Sequence, residues 1–208
     1  MLSKPTFAEE EALGAQGYRF IAGIDEAGRG ALAGPVVAAA VILPCPMDAP
    51  WLNRVNDSKL LSPMLRETLF GSINEAAISI GIGVVSHEVI DKQGIIRATR
   101  LAMKQAIDQL SPPAESLLID YMRLPEVKLP QKAITNGDSL CFSIACASII
   151  AKVTRDHLMI EFDKTYPDYG LAQHKGYGTR EHMVSLHRLG PSPIHRQTFQ
   201  PVKAIISK

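Results

Sequence analysis

Apolar and polar positions change their period several times along the chain. Arg19 to Ile24 is a short, mostly apolar run and predicts a strand. The run ends in Asp25-Glu26-Ala27-Gly28-Arg29-Gly30, which predicts a polar, glycine-rich turn. Pro35 to Leu43 is continuously apolar and rich in Val and Ala, the pattern of a strand buried on both faces. Pro44 to Asn56 carries three prolines and predicts a loop. Ser62-Pro63 sets a capping residue before a proline at the first helical position, so a helix is expected to about Asn74. Ile78 to Ser86 alternates glycine with β-branched residues and predicts a third strand.

The second half alternates strands with helices. Glu88 to Leu110 has helical spacing, interrupted near Gly94 and stopped by Ser111-Pro112-Pro113. Glu115 to Asp120 predicts a short strand ending in a carboxylate, and Lys132 to Ile134 a very short fifth one. Asp138 or Ser139 is expected to cap a long helix running to about Tyr166. Cys141 to Ile150, its first half, is small and apolar all round, as a buried central helix requires. Tyr166 to Thr179 predicts a loop, Arg180 to Leu189 a helix stopped by Gly190-Pro191, and the remaining tail an irregular segment. The order suggests an α/β fold with a mixed sheet and helices on both faces.

Composition narrows the class. A chain of 208 residues with 46% hydrophobic and 21% charged residues is ordinary globular material, and disorder is excluded. One domain over 1–208 is expected. Apolar runs such as Val36 to Leu43 fall far short of the roughly 18 residues of a membrane span. Cys45, Cys141 and Cys146 are odd in number and lack CxxC spacing, which suits a reducing compartment. Met1 to Gly17 carries Glu9, Glu10 and Glu11 and no apolar stretch, unlike a signal peptide. A cytoplasmic protein is therefore expected. The net charge of +1 hides an asymmetry: −2 over residues 1–70, −1 over 71–140 and +4 over 141–208, the last third also holding five of six histidines. A solvated face is the bland reading. Basic residues in loops beside aromatics favour an anionic partner.

The acidic residues suggest chemistry. Asp25 and Glu26 follow the first strand, Asp120 ends the fourth, and Asp138 opens the long helix. Strand ends gather at one edge of an α/β sheet, where ligands bind. Four converging carboxylates need counter-charge, and Mg²⁺ or Mn²⁺ would provide it; two ions about 4 Å apart would clamp a phosphoryl group. Taken alone, Asp138 reads more simply as a helix cap. Gly28, Arg29 and Gly30 could bring backbone close to a ligand with a guanidinium between, or form a plain hairpin turn. They are not a dinucleotide fingerprint, since no helix follows directly. Asp57-Ser58-Lys59 offers a phosphate grip. Lys152 and Asp156 share one helix face, as a surface ion pair or as support for a site. Lys175, Tyr177 and Arg180 belong to a stretch that could stack on a sugar or base and hold phosphate, or be a polar loop. His182 and His187 lack zinc-ligand spacing, and no Gly-x-Ser-x-Gly elbow occurs.

Ile24-Asp25-Glu26-Ala27-Gly28-Arg29-Gly30, followed by Leu32-Ala33-Gly34-Pro35-Val36-Val37, resembles the opening of the bacterial ribonuclease HII family. So do Asp57-Ser58-Lys59-Leu60, Gly137-Asp138-Ser139, Ala151-Lys152-Val153-Thr154-Arg155-Asp156, His174 to His182 and Gly190 to Arg196. The resemblance spans about residues 19 to 200. It implies an RNase H-like fold: a mixed five-stranded sheet flanked by helices, with a small basic C-terminal helical extension over about 170–208. It implies metal-dependent hydrolysis of the RNA strand of RNA–DNA hybrids. Incision 5′ of single ribonucleotides in duplex DNA, leaving 5′-phosphate and 3′-hydroxyl ends, is implied too.

Carried over residue by residue, Asp25, Glu26, Asp120 and Asp138 resemble the catalytic, metal-binding carboxylates. Gly28, Arg29 and Gly30 resemble the turn that senses the 2′-hydroxyl, and Tyr177 the aromatic beside the neighbouring sugar. Ser58, Lys59, Lys152, Lys175 and Arg180 are expected substrate contacts. Two positions depart from the pattern. Tyr121 follows the third carboxylate where the family usually has glycine, and Leu60 stands where a second lysine often follows, implying one phosphate contact fewer. A monomer is expected, with no membrane partner, and no residue supports contact of the tail after Pro201 with a replication clamp. Two rival readings are a hybrid-binding module that does not cleave and a nucleotide-dependent α/β enzyme using the glycine turn.

Overall fold

A mixed sheet forms the centre of the structure, a computed structural model that describes residues 4–207. The domain expected over 1–208 extends past these limits, and Met1–Ser3 and Lys208 lie outside the described residues. The strands are β1 (Ile21–Ala27), β2 (Val36–Ile42), β3 (Ser79–Val85), β4 (Ser116–Asp120) and β5 (Gln131–Ile134), in the order β3-β2-β1-β4-β5. β2 runs antiparallel to β1 and β3, whereas β4 runs parallel to β1 and β5 parallel to β4. Parallel β1 and β4 end at the same edge. Their register pairs Ile24 with Ile119, which sets the next residues, Asp25 and Asp120, side by side.

The helices are α1 (Ala8–Gly14), α2 (Pro63–Ala76), α3 (His87–Gln93), α4 (Ile95–Asp108), α5 (Phe142–Thr165), α6 (Leu171–His174), α7 (Arg180–Leu189) and α8 (Val202–Ile206). Alternate residues of β2 feed two cores. Val36, Ala38, Ala40 and Ile42 pack with Ala98, Ala102, Met103 and Ala106 of α4. Ala39 and Val41 pack with Ala145, Ile149, Ile150 and Val153 of α5 and with Leu69 and Ile73 of α2. Every β2 residue is therefore buried, as its unbroken apolar run requires. α5 lies close against β1 because Gly23 has no side chain: a Cβ there would stand 2.1 Å from the Ser143 carbonyl carbon. Glu10 of α1 secures the start of α5, accepting from the Ser143 amide at 2.9 Å and hydroxyl at 2.7 Å.

Four local expectations are corrected. Asp25 and Glu26 are strand residues, because the antiparallel ladder with β2 continues through Asp25–Ala39 and Glu26–Ala38 to Ala27–Val37. Asp138 does not cap α5; it sits in a 3₁₀ turn (Gly137–Ser139), and the helix starts three residues after that turn's end, capped by no side chain at Cys141. The 166–179 loop contains a 3₁₀ turn and α6, and the irregular tail contains α8, docked through buried Val202 on Leu32 and Leu186. Ser62 caps α2 as expected, accepting from the Leu65 amide, and Gly94 separates α3 from α4 with φ 80°.

Candidate active site

The carboxyl ends of β1 and β4 open onto a cavity of about 520 Å³. It is lined by Asp25, Glu26 and Asp120, by the Gly28-Arg29-Gly30 turn, by Ser58 and Lys59, and by Lys152 and Tyr177. One oxygen of each carboxylate is engaged. Asp25 Oδ1 accepts from the Glu26 amide at 2.7 Å, Glu26 Oε1 from Arg29 at 3.2 Å, and Asp120 Oδ1 from the Gly137 amide at 2.7 Å. Asp138 does not line the cavity, but it is buried and interacts by charge with Asp57, Asp120 and Lys59.

Burial raises the pKa of all four carboxyls. Asp25 stands well above the usual range, through burial first and then repulsion from Glu26 and Asp120. Arg29 opposes the shift at Glu26. Lys59 responds in the opposite sense. Its partial desolvation favours the neutral amine, yet Asp57, Asp138, Asp25 and Asp120 together hold its pKa above the ordinary lysine value.

This all-oxygen, under-compensated donor set suits a hard divalent cation. Among the described residues, no three His, Cys, Asp or Glu side chains close around one point as a ready-made cage. Carboxylates spread along a cavity wall suit Mg²⁺ or Mn²⁺ better than a closed zinc site, since Mg²⁺ keeps several waters and takes only one or two carboxylates.

Two fully buried arginines lie beneath the glycine turn, and Arg196 bonds it directly. Arg155 donates to the carbonyls of Pro35 (2.9 Å), Ala33 (3.0 Å) and Lys175 (2.9 Å). Arg196 donates to those of Gly28 (2.8 Å), Arg29 (2.9 Å), Gly34 and Pro35. Among the described residues neither is paired with a carboxylate, and burial lowers both pKa values, that of Arg196 to about 9. Gly28 has φ 94°, which favours glycine. A Cβ on Gly30 would meet nothing within 4 Å, so the fold itself does not require glycine there.

Tyr177 projects from a loop fastened by histidines. Its ring lies 5.4 Å from Lys152 Nζ and 5.2 Å from the Arg155 guanidinium. The Ser192 amide donates to His195 Nδ1 at 2.9 Å, so the proton of His195 is on Nε2. That nitrogen faces His182 Nε2 at 2.9 Å, and His182 Nδ1 is left to donate to the Tyr177 carbonyl at 3.0 Å. His174 stacks on His182 with ring centres 4.2 Å apart. Burial holds the pKa of His182 and of His195 down to about 4.

Lys175 and Arg180 stand apart from the carboxylates. Lys175 lines a neighbouring cavity of about 260 Å³, which shares Arg66 and Lys152 with the first. Its ammonium donates to the Ala172 carbonyl, and burial lowers its pKa. Arg180 is exposed on α7 beside Glu181, Val184 and Arg188. Lys152 bonds Asp156 at 2.7 Å, the spacing four residues apart predicts.

Two lining residues carried no sequence signal. Arg66 donates to the Ser58 and Leu61 carbonyls and faces Asp156 at 3.9 Å. Ser148 exchanges a hydrogen bond with Ser58 at 2.8 Å, and its hydroxyl is among the groups that oppose the rise of the Asp25 pKa. The apolar run around Ser148 suggested only a core helix.

Comparison with known proteins agrees with this geometry. The family model described as Ribonuclease HII matches residues 22–202. A ribonuclease HII of Dehalococcoides mccartyi (strain ATCC BAA-2266 / KCTC 15142 / 195) is 57% identical over 201 residues, covering 97% of this chain and 95% of that protein. The solved ribonuclease H2 of Pyrococcus horikoshii superposes with a TM-score of 0.73 at 24% identity, covering 90% of this chain and 97% of that one. The Archaeoglobus fulgidus RNase HII, solved in complex with PCNA, superposes with a TM-score of 0.72 at 28% identity, covering 87% and 95%. With its mixed sheet of the RNase H-like fold, the chain belongs to the ribonuclease HII family and is an endoribonuclease.

Proposed function

We propose that the chain hydrolyses the RNA strand of RNA–DNA hybrids and incises 5′ of a single ribonucleotide in duplex DNA, leaving 5′-phosphate and 3′-hydroxyl ends. The observation that carries this reading is the juxtaposition of Asp25, Glu26 and Asp120 with the Gly28-Arg29-Gly30 turn in one cavity. Asp25, Glu26, Asp120 and Asp138 are the groups that would hold Mg²⁺ or Mn²⁺. When bound, such an ion supplies an activated water and stabilises charge on the phosphate and the leaving 3′-oxygen.

The remaining work belongs to the chain's own residues. Lys59 and Lys152 neutralise phosphates at the cavity wall, and Ser58 and Ser148 hold that wall to Asp25. Backbone groups of residues 28–30 approach the ribose 2′-hydroxyl, which both donates and accepts. The absence of a steric demand at Gly30 favours a ligand-facing role there. Tyr177 stacks on the neighbouring deoxyribose. Lys175 and Arg180 track the strand farther out, within a basic segment of about 170–208 that belongs to the same single domain over 1–208. The protein acts as a monomer in the cytoplasm. Among the described residues no helix is long and apolar enough to cross a membrane.

End-labelled hybrid incubated with Mg²⁺ and with EDTA tests the reading. Cleavage only with the metal is expected. Binding without cleavage under both conditions would favour the non-cleaving module.

A further inference from the structure

Tyr121 follows directly on Asp120, and its backbone is set by a tight turn. The Met122 amide donates to the Asp120 carbonyl at 2.7 Å across Tyr121, which has φ 64°, and the Tyr121 amide donates to the Ile134 carbonyl at 3.0 Å. This is the γ-turn of the rarer, strained hand. A glycine adopts it freely, whereas a Cβ is disfavoured. The turn accounts for the backbone and leaves the side chain unexplained. Tyr121 is left 64% exposed, and among the described residues no hydrophobic cluster includes it. Its charged neighbour is Arg29, whose guanidinium lies 5.8 Å from the ring centre and is bonded to Glu26 at 3.2 Å. A bulky aromatic thus occupies a strained, exposed position one residue from a carboxylate of the cavity, beside the one guanidinium of the glycine turn. It stands on the β4 side of the sheet, next to β5. Tyr177 comes from a different element, the loop packed on residues 32–33 ahead of β2.

We propose that Tyr121 is a substrate-binding residue, its ring and the Arg29 guanidinium forming a second stacking platform that takes a nucleobase of the bound hybrid. An exposed aromatic face beside a guanidinium is what an unstacked or terminal base binds. The inference rests on the hybrid-nuclease reading and adds a contact to it.

The test measures binding of a fluorescent RNA–DNA hybrid in EDTA, where nothing is cut, together with melting temperature and with kcat and KM in Mg²⁺. Tyr121→Gly should bind about tenfold more weakly and raise KM comparably, with kcat changed less than threefold. It should also melt higher than wild type, because the turn is relieved of a Cβ. Tyr121→Phe should bind within twofold of wild type. In an Arg29→Ala background, Tyr121→Gly should still weaken binding. Three results would each overturn the proposal: Tyr121→Gly binding within twofold of wild type, Tyr121→Phe as weak as Tyr121→Gly, or no further loss in the Arg29→Ala background. The last would make the ring only a support for Arg29. Wild-type protein that binds hybrid but does not cut it in Mg²⁺ would count against the nuclease reading alone, since the binding comparison stands without cleavage.

Discussion

A Cβ on Gly28 would stand 2.0 Å from Nε of Arg155. The turn beside the carboxylates and the buried arginine beneath it therefore occupy one space, and neither can change alone. Gly28→Ala meets this clash and a φ of 94° as well. It should lower the unfolding free energy by about 2–4 kcal/mol and abolish cleavage. Gly30→Ala meets no atom and should unfold within about 0.5 kcal/mol of wild type while still losing hybrid cleavage. Urea unfolding of both variants checks the contrast. Equal destabilisation would show that Gly30 serves the fold rather than the ligand.

Asp25 ionises at a cost, since burial, Glu26 and Asp120 all raise its pKa. A carboxyl whose folded pKa is raised stabilises at low pH, and that stability is lost as pH rises through the folded value. At pH 7.5 in EDTA, Asp25→Asn should therefore melt above wild type while cleaving several orders of magnitude more slowly. Mg²⁺ should raise the melting temperature of wild type more than that of Asp25→Asn. Equal shifts would remove Asp25 from the metal site.

The histidines give the opposite pH sign. His182 and His195 titrate near 4 in the fold against about 6.5 unfolded. Their contribution is complete above pH 6.5 and is lost as pH falls toward 4. Imidazole ¹⁵N spectra at pH 6 should show both rings neutral, protonated at Nδ1 in His182 and at Nε2 in His195. A cationic ring at pH 6 would contradict the hydrogen-bond order that fastens the Tyr177 loop.

Local pattern carried much of this fold. Ser62-Pro63 announced α2, the unbroken apolar run of β2 announced burial on both faces, and Gly94 marked the break between α3 and α4. Strand ends were harder, because Asp25 and Glu26 look like turn residues until a partner strand pairs with them. Asp138 precedes an apolar helix and so resembles a cap, but the intervening 3₁₀ turn depends on contacts distant in sequence. The motifs singled out Asp25, Glu26 and Asp120, which line one cavity, and Asp138, which does not line it. Arg196 was not legible as the support of the turn, since it reaches Gly28 across 168 positions. Ser148 was hidden in an apolar helix for the same reason, 90 positions from Ser58.

The cleavage map of a duplex containing one ribonucleotide reads the role of the Gly28-Arg29-Gly30 turn in a single measurement. Wild-type protein in Mg²⁺ should cut once, on the 5′ side of that ribonucleotide, and leave an all-DNA duplex intact, because a site built around a hydroxyl rejects its absence by about 10⁴ or more. Tyr177→Ala should lose this cut more than it loses cleavage of a uniform hybrid. Cutting of the all-DNA duplex, or no cut at the lone ribonucleotide while uniform hybrid is degraded, would contradict the role assigned to the Gly28-Arg29-Gly30 turn.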